Sequence, residues 1–362
     1  MQTEAGTRRK KIVFTGGGTA GHVTPNIALM QQLLKEGWEV HYIGSETGIE
    51  KELIGAMEGV TYHAIATGKL RRYFSWQNFI DPFRVLKGSF QARRIIRDLK
   101  PDVLFSKGGF VSVPVVMGAG KIPVVAHESD FSPGLSNRIA SRFTDRVCVS
   151  FEDTLHYVPH QKGVFTGTPI RPALYAGCRD RALEFTGFSG EKPVLLVMGG
   201  SLGAQKLNEL LRAALPKLCE TYDIIHLCGR GKKDCDCLAC GYTQYEYIDQ
   251  ELPDLFALAD VVLSRAGANA VFELLALNKP SVLVPLSKAS TRGDQLLNAR
   301  YFEKNGYALV LDQNTATPES LCLAIDEVYR DRERYAAAMR NDTCADGTLA
   351  ILDIIRSVAC HE

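Results

Sequence analysis

The sequence predicts an α/β protein of two Rossmann-like domains, each a parallel sheet with helices on both faces, that face each other across a cleft. Strand-like apolar runs alternate with helix-like runs for most of the length, which is the rhythm of a parallel sheet. A strand, a glycine turn and a helix occur in each half, as IVFTGGGTAGH and LLVMGGSLGAQ. A chain of 362 residues also exceeds the usual size of one hydrophobic core.

The expected strands are KIVFTG, EVHYIGS, DVLFSKG, IPVVAHE and RVCVS in the first half, and PVLLVMGG, DIIHLCG, VVLSRAG and SVLVPL in the second. Apolar residues at helical spacing, such as Ile27, Met30 and Leu33, separate the first two strands and end at Gly37, a suitable C-cap. We expect one domain over 8–170, a second over 171–345, and a C-terminal helix over 346–362; packing of this helix on either domain fits the sequence, and packing back on the first is one of the two alternatives.

The composition is that of an ordinary globular protein, with 46% hydrophobic and 23% charged residues. The formal net charge of +1 gives no global reason to bind nucleic acid, so no nucleic-acid partner is expected. The N-terminus lacks the pattern of a secretory signal, and no apolar run approaches the roughly 20 residues that span a bilayer. We therefore expect a cytoplasmic protein whose ten cysteines are reduced thiols.

Three glycine-rich turns follow predicted strands: GGGTAGHVTP from Gly16, Lys107-Gly108-Gly109, and GGSLGA from Gly199. Glycine permits a positive φ and a close backbone approach, and a helix start with free N–H groups favours an anion. The spacing matches neither the dinucleotide fingerprint nor a P-loop, so a kinase or ATPase is not favoured. One such turn alone is a weak signal, because a tight strand-to-helix turn without a ligand is the alternative. Three such turns at the carboxyl ends of parallel strands would surround one crevice.

Polar residues in the second half fit a nucleotide sugar. Glu273 follows the turn Arg265-Ala266-Gly267-Ala268, and its carboxylate can accept hydrogen bonds from two adjacent sugar hydroxyls. The alternative is an acidic residue favoured by the helix dipole. Asp294, Gln295 and Asn298 share one helical face, which suits a sugar ring or, equally, a solvated surface.

Six motifs in this order and spacing resemble the MurG family of peptidoglycan transferases, in glycosyltransferase family 28: GGGTAGHVTP, KGGFVSVP, HESD, GTPIRP, GGSLGAQ and RAGANAVFE. The resemblance covers roughly residues 10 to 355. It implies the GT-B fold and a metal-independent, inverting hexosyltransferase. The implied reaction moves N-acetylglucosamine from UDP-N-acetylglucosamine (UDP-GlcNAc) to the 4-OH of the N-acetylmuramic acid of undecaprenyl-linked lipid I, giving lipid II. UDP-GlcNAc is then a substrate, and no cofactor is expected.

The resemblance also implies roles for individual residues. Ile248 would meet uracil, Glu273 the ribose, and Ser201 and Arg171 the diphosphate. The full set implied for the donor is Thr19, Ala20, Gly21, Arg171, Ser201, Ile248, Glu273, Asp294, Gln295 and Asn298. The set implied for the diphosphate or acceptor loops is Gly16, Gly17, Gly18, Gly108, Gly109, Gly200, Gly203 and Asp130. Some family members carry Gln at the position of Asp294 and HEQN where this chain has HESD.

An inverting transfer needs a general base near the acceptor hydroxyl. His22 lies in the first loop and is an imidazole, the side chain whose charge changes near neutrality, so we favour it. Glu128 is the second choice, with Asp130 as a further carboxylate. The alternative for His22 is a hydrogen bond to the loop or to a substrate phosphate.

The stretch Asp234-Cys235-Asp236 has the D-x-D form of metal-dependent transferases, and Cys237 and Cys240 follow it. Three thiols without a matching pair fall short of the usual zinc pattern. We expect a variable surface loop here and no metal site.

Residues 69–97 contain eight Lys or Arg against one acid, interleaved with aromatic residues. This pattern predicts docking on an anionic membrane surface, through Arg71, Arg72, Trp76, Phe79, Phe83 and Arg84. The alternative is an ordinary amphipathic helix whose aromatics are core. The expected location is the inner face of the cell membrane, as a peripheral protein.

Three other functions share these features. A glycolipid synthase acting on diacylglycerol would use the same donor site and basic segment. A UDP-GlcNAc epimerase would use the same cleft without needing the basic segment, and a non-catalytic nucleotide-sugar sensor would bind the nucleotide sugar without turnover. Cell-wall synthesis and cell-division proteins are expected partners by family analogy only.

Overall fold

A computed structural model describes residues 8–68, 77–159, 161–200, 204–287 and 293–360, without the side chains of 77–80. The chain divides into two compact units. The first is Met1–Arg171 with Asp346–Glu362, and the second is Pro172–Ala345. Each unit has its own parallel sheet flanked by helices, which confirms the predicted α/β class.

The described strands of the first unit form one parallel sheet in the order β3-β2-β1-β4-β5-β6-β7. They are β1 (Lys11–Thr15), β2 (Glu39–Ser45), β3 (Val60–Ile65), β4 (Val103–Ser106), β5 (Val124–Glu128), β6 (Arg146–Val149) and β7 (Gly163–Phe165). The helices are α1 (Thr24–Lys35), α2 (Ile49–Gly55), α3 (Gln77–Leu99), α4 (Ser112–Gly118) and α5 (Leu135–Ala140). The strand order reverses between β1 and β4, which is the topological switch point where such sheets bind ligands.

Both faces of this sheet are buried. Ile12 and Phe14 of β1 pack in a core cluster with α1, whereas Val13 between them packs in a second cluster with α3 and α4. Successive side chains of a strand point to opposite faces, so helices cover the sheet on both sides.

The second unit repeats the plan, with a parallel sheet in the order β10-β9-β8-β11-β12-β13 among its described residues. The strands are β8 (Val194–Met198), β9 (Asp223–Leu227), β10 (Tyr242–Tyr245), β11 (Val261–Ser264), β12 (Ser281–Leu283) and β13 (Ala308–Val310). The helices are α6 (Arg179–Thr186), α7 (Gln205–Thr221), α8 (Leu252–Leu258), α9 (Ala268–Ala276), α10 (Asp294–Lys304), α11 (Pro318–Arg330) and α12 (Arg332–Arg340). Its switch point lies between β8 and β11.

The last helix, α13 (Thr348–Val358), belongs to the first unit. Ile351, Leu352 and Ile355 are fully buried in the same core cluster as β1 and α1. The Thr348 hydroxyl accepts a hydrogen bond from the Ile170 amide at 3.1 Å, which fixes the start of the helix. The C-terminal segment therefore completes the core of the first unit.

Replacing Ile355 by alanine should lower the free energy of unfolding by about 2–5 kcal/mol, because the removed atoms leave a cavity in the first unit's core. Leu349→Ala on the same helix is the matched control, since Leu349 is 69% exposed. That control should change the free energy by less than about 0.5 kcal/mol. Urea unfolding followed by circular dichroism measures both; equal effects of the two variants would contradict this packing of α13.

Candidate active site

The two glycine turns of the first unit meet at its switch point. A Cβ on Gly109, whose φ is +81°, would lie 2.2 Å from the carbonyl oxygen of Gly17. Gly18 has a φ of +86°, and a Cβ there would lie 2.3 Å from the Phe110 ring. A Cβ on Gly108 would approach the Asn137 amide to 2.5 Å. Only glycine fits this packing, so the turns after β1 and β4 form one element at the carboxyl edge of the sheet.

His22 ends a short 3-10 helix, Ala20–His22, between the first glycine turn and α1. Its Nδ1 lies 2.8 Å from the Thr19 hydroxyl, and the ring is half-buried. Thr19 and Gly21 are exposed and Ala20 is half-buried. The turn therefore presents accessible residues next to an imidazole of fixed orientation.

Glu50 contacts the first glycine turn, which the sequence did not indicate. Its side chain is fully buried at the start of α2. One carboxylate oxygen accepts a hydrogen bond from the Gly18 amide at 3.2 Å, and the other accepts from the Ser45 amide at 3.2 Å and from the Ser45 hydroxyl. The Gly18 amide thus already has a hydrogen-bond acceptor within the protein. No motif marks Glu50, because its partner in the glycine turn, Gly18, is remote in sequence.

Glu128 is the last residue of β5 and is 5% exposed. Its Oε1 accepts a hydrogen bond from the Asp130 amide at 3.0 Å, and its Oε2 accepts from the Gly134 amide at 3.0 Å and from the Asn137 side chain at 2.9 Å. Burial, aided by the charge of Asp130, raises the pKa of Glu128 to about 7 despite these donors. A carboxyl group that ionises near neutrality suits a general base.

In the second unit, glycine turns also follow the two strands at the switch point. Gly200, with a φ of +85°, follows β8, and α7 begins at Gln205. Ser201 and Gly203 lie outside the described residues. The turn after β11 leads through Gly267 into α9. The glycine turns of each unit therefore occupy equivalent topological positions.

Glu273 lies half-buried in the second turn of α9, which begins at Ala268. The first turn of α9 contains no acidic residue, so stabilisation by the helix dipole does not explain Glu273. Its position is compatible with the expected role as a hydrogen-bond acceptor for a ligand.

Two of the three α10 residues expected to hold the sugar connect the helix to neighbouring turns. Asn298 is fully buried and donates to the Ala266 carbonyl, after β11, at 3.1 Å. Gln295 accepts from the Leu286 amide, after β12, at 3.0 Å. Asp294 is half-buried in the first turn of the helix. A solvated helix face therefore does not explain Asn298.

Two further residues expected at the site lie in connecting segments. Ile248 is half-buried between β10 and α8, and Arg171 is half-buried at the last position of the first unit's main segment.

The D-x-D stretch stabilises its own loop. Asp234 lies 3.8 Å from the Arg212 guanidinium, accepts a hydrogen bond from the Asp236 amide at 3.2 Å, and receives one at its carbonyl from Gln244 at 2.9 Å. Cys235 and Cys240 are exposed. Among the described residues, no three His, Cys, Asp or Glu side chains are arranged to hold a metal ion.

The basic segment is described only from α3 onward: Arg71, Arg72 and Trp76, and the side chain of Phe79, lie outside the described residues. Phe83 is 73% exposed and Arg84 is exposed as well, so Phe83 is not a core residue. Phe90, 67% exposed, extends the apolar surface by two turns and was not singled out by the sequence. Within the described ranges, every helix is too short or too polar to cross a bilayer.

Comparison with known families matches both units. Residues 12–149 match the glycosyltransferase family 28 N-terminal domain, and residues 194–351 match the glycosyltransferase family 28 C-terminal domain. A Geobacillus thermodenitrificans protein is 53% identical over 354 residues, which cover 97% of this chain and 99% of that protein. Its name is UDP-N-acetylglucosamine–N-acetylmuramyl-(pentapeptide) pyrophosphoryl-undecaprenol N-acetylglucosamine transferase.

Solved structures share the fold along the whole chain. The crystal structure of Acinetobacter baumannii MurG has a TM-score of 0.76 at 28% identity, covering 96% of this chain and 99% of that one. A Listeria monocytogenes protein described as a putative UDP-N-acetylglucosamine 2-epimerase has a TM-score of 0.68 at 12% identity, covering 96% of both chains. At that identity the second likeness shows the fold alone.

Proposed function

This chain belongs to glycosyltransferase family 28, and we propose that it transfers N-acetylglucosamine from UDP-GlcNAc to the N-acetylmuramic acid of undecaprenyl-linked lipid I, giving lipid II for peptidoglycan synthesis. The observation that carries the proposal is 53% identity to a transferase of that name over 97% of the chain. UDP-GlcNAc is the donor substrate, and the reaction needs no further cofactor.

The second unit is the donor domain in this proposal, covering 171–345. The start of α7, preceded by the turn that contains Gly200, Ser201 and Gly203, binds the diphosphate with Arg171, since helix N-termini offer free N–H groups to anions. Ile248 meets uracil and Glu273 the ribose hydroxyls. Asp294, Gln295 and Asn298 position the transferred sugar.

The first unit, residues 8–170 completed by the helix of 346–362, is the acceptor and membrane-docking domain. The acceptor 4-OH attacks the anomeric carbon, a new C–O bond forms with inversion, and UDP leaves with the electrons of the broken C–O bond. The hydroxyl proton passes to a general base. Between the two candidates, the buried carboxylate of Glu128, with its pKa near 7, favours Glu128 as the base. His22, held by Thr19, then orients the acceptor or a phosphate.

The full-length protein, incubated with UDP-GlcNAc labelled in the sugar and with lipid I, should form a labelled disaccharide lipid. Parallel reactions with diacylglycerol, and with no acceptor, test the glycolipid synthase and the epimerase. Three outcomes would contradict the assignment. A product on diacylglycerol would indicate the glycolipid synthase, conversion of the donor without an acceptor the epimerase, and binding without turnover the sensor.

Glu128→Gln should lower kcat/KM about 10²–10⁴-fold with little change in the KM for UDP-GlcNAc, because the amide cannot accept the proton. In the unmodified protein, kcat/KM should rise as the pH increases through about 7, since only the carboxylate form of Glu128 acts as a base. His22→Asn should retain that pH limb. If His22→Asn abolishes the rise of kcat/KM with pH while Glu128→Gln retains it, His22 is the base.

We also propose that the exposed face of α3 docks on an anionic membrane surface, at the inner face of the cell membrane. Phe83, Lys87, Phe90, Arg94 and Arg97 are all exposed and recur every three or four residues, so they form one stripe along the helix. Cationic side chains attract anionic headgroups, while aromatic rings enter the interface.

The double variant Phe83→Ser/Phe90→Ser should bind vesicles containing phosphatidylglycerol at least about tenfold more weakly, since each buried aromatic contributes about 1.5–3 kcal/mol. Cosedimentation measures the bound fraction. Leu349→Ser, which removes an exposed leucine from α13, is the control and should bind normally. This docking face would be contradicted if both variants bound the vesicles equally well. It would also be contradicted if the unmodified protein bound purely zwitterionic vesicles as strongly as those containing phosphatidylglycerol.

A further inference from the structure

A buried lysine lies beside the candidate base. Lys107 directly follows β4 and is only 1% exposed. Its amide donates to the Thr15 carbonyl at 2.9 Å, which continues the pairing of β4 with β1 and fixes the backbone. Lysine is almost never fully buried unless its charge is compensated, so its neighbours must explain it.

The Lys107 ammonium donates to His127 and Ser129. Its Nζ lies 2.8 Å from His127 Nδ1 and also contacts the Ser129 hydroxyl. On the other side of the ring, His127 Nε2 lies 2.9 Å from the Gly167 carbonyl. An ammonium only donates and a carbonyl only accepts, so His127 is neutral with its proton on Nε2. Burial and the charge of Lys107 hold the pKa of His127 well below its usual range.

The compensating charges come from Glu128 and Asp130. Burial lowers the pKa of Lys107 to about 8, and attraction to Glu128 and Asp130 opposes that shift. The other titratable group nearby, the Cys148 thiol of β6, is neutral because burial raises its pKa to about 12. The Lys107 ammonium contacts Ser129, which lies between Glu128 and Asp130 in the chain, and it interacts electrostatically with both of these acidic residues.

Lys107 and Asp130 act on Glu128 in opposite directions. The donors that contact Glu128 are the amides of Asp130 and Gly134 and the Asn137 side chain, and all of these are uncharged groups. Asp130 disfavours the Glu128 carboxylate by like charge. The charge of Glu128 favours the Lys107 ammonium, and because attraction between opposite charges is mutual, the ammonium in turn favours the carboxylate form of Glu128.

We propose that Lys107 is a positioning residue for the transfer, whose buried ammonium fixes His127 and Ser129 and balances the charge that Asp130 places beside Glu128. The inference rests on the proposed function, with Glu128 as base. It also gives the acidic residue in HESD a role. Asp130 disfavours the carboxylate form of Glu128, and Lys107 supplies the opposite charge that offsets this effect.

The test is a double-mutant cycle on the full-length protein, with the pH profile of kcat/KM as the readout. Lys107→Met should move the acidic midpoint up by about one pH unit or more, the usual effect of losing a nearby opposite charge. Asp130→Asn should move it down, and the double variant should return close to the unmodified value. Activity of Lys107→Met should recover at high pH, which a merely structural defect would not allow.

Lys279→Met is the matched control. Lys279 is a half-buried lysine whose pKa is also lowered by burial, and it donates to the Ala259 carbonyl at 3.0 Å in the second unit. This variant should leave the midpoint unchanged. A shift equal to that of Lys107→Met would show a general effect of losing a buried lysine and overturn the proposal.

A second measurement separates this inference from the transferase assignment. Carbon-13 NMR of carboxyl-labelled glutamate, with the Glu128 signal assigned by Glu128→Gln, follows ionisation without any substrate. If the variants shift the ionisation midpoint of Glu128 but the unmodified protein has no transferase activity, the inference stands and the proposed function is rejected. An unshifted midpoint in Lys107→Met would overturn the inference, whatever the effect of Asp130→Asn; if Lys107→Met does not fold, Lys107→Gln takes its place.

Discussion

The close packing of two glycine turns at the first unit's switch point is the constraint on which its site depends. Because Gly109 lies directly against the Gly17 carbonyl, the turns after β1 and β4 close over the carboxyl edge of the sheet. Side chains that follow these strands or reach this edge are thereby removed from water. Glu50, Lys107 and Glu128 are all buried there, and burial of a charge is costly unless it is paired or hydrogen-bonded.

Those three charges are accommodated in different ways. Glu50 receives backbone and hydroxyl donors from Ser45 and Gly18, so it binds the glycine turn to the start of α2. Glu128 also receives neutral donors, yet burial and Asp130 leave its pKa near 7. Lys107 supplies the positive charge for this region. A carboxylate in such surroundings is held in one orientation and ionises in the pH range where a proton acceptor is useful.

The interior of each sheet was predictable from the sequence, and its edges were not. The nine predicted strands correspond to the central strands, whose residues are almost all buried and therefore form apolar runs. The four strands that the sequence analysis missed are β3, β7, β10 and β13, and each lies at a sheet edge. Edge strands are partly exposed, so their residues lack a continuous apolar signal. The motifs likewise indicated Glu128 and Asn298, but pairings between distant residues, such as Glu50 with Gly18, leave no local pattern.

The two glycine turns that look alike in sequence differ in chemistry once folded. In the first unit the Gly18 amide already binds Glu50, and a short 3-10 helix separates the turn from α1. In the second unit α7 starts immediately after Ala204, a residue without a side-chain acceptor to cap the helix. The first amides of a long helix then have no carboxylate or hydroxyl from the capping residue. Because the Gly18 amide already bonds to Glu50 and a helix N-terminus attracts anions, the start of α7 supports the proposal that the second unit binds the donor diphosphate.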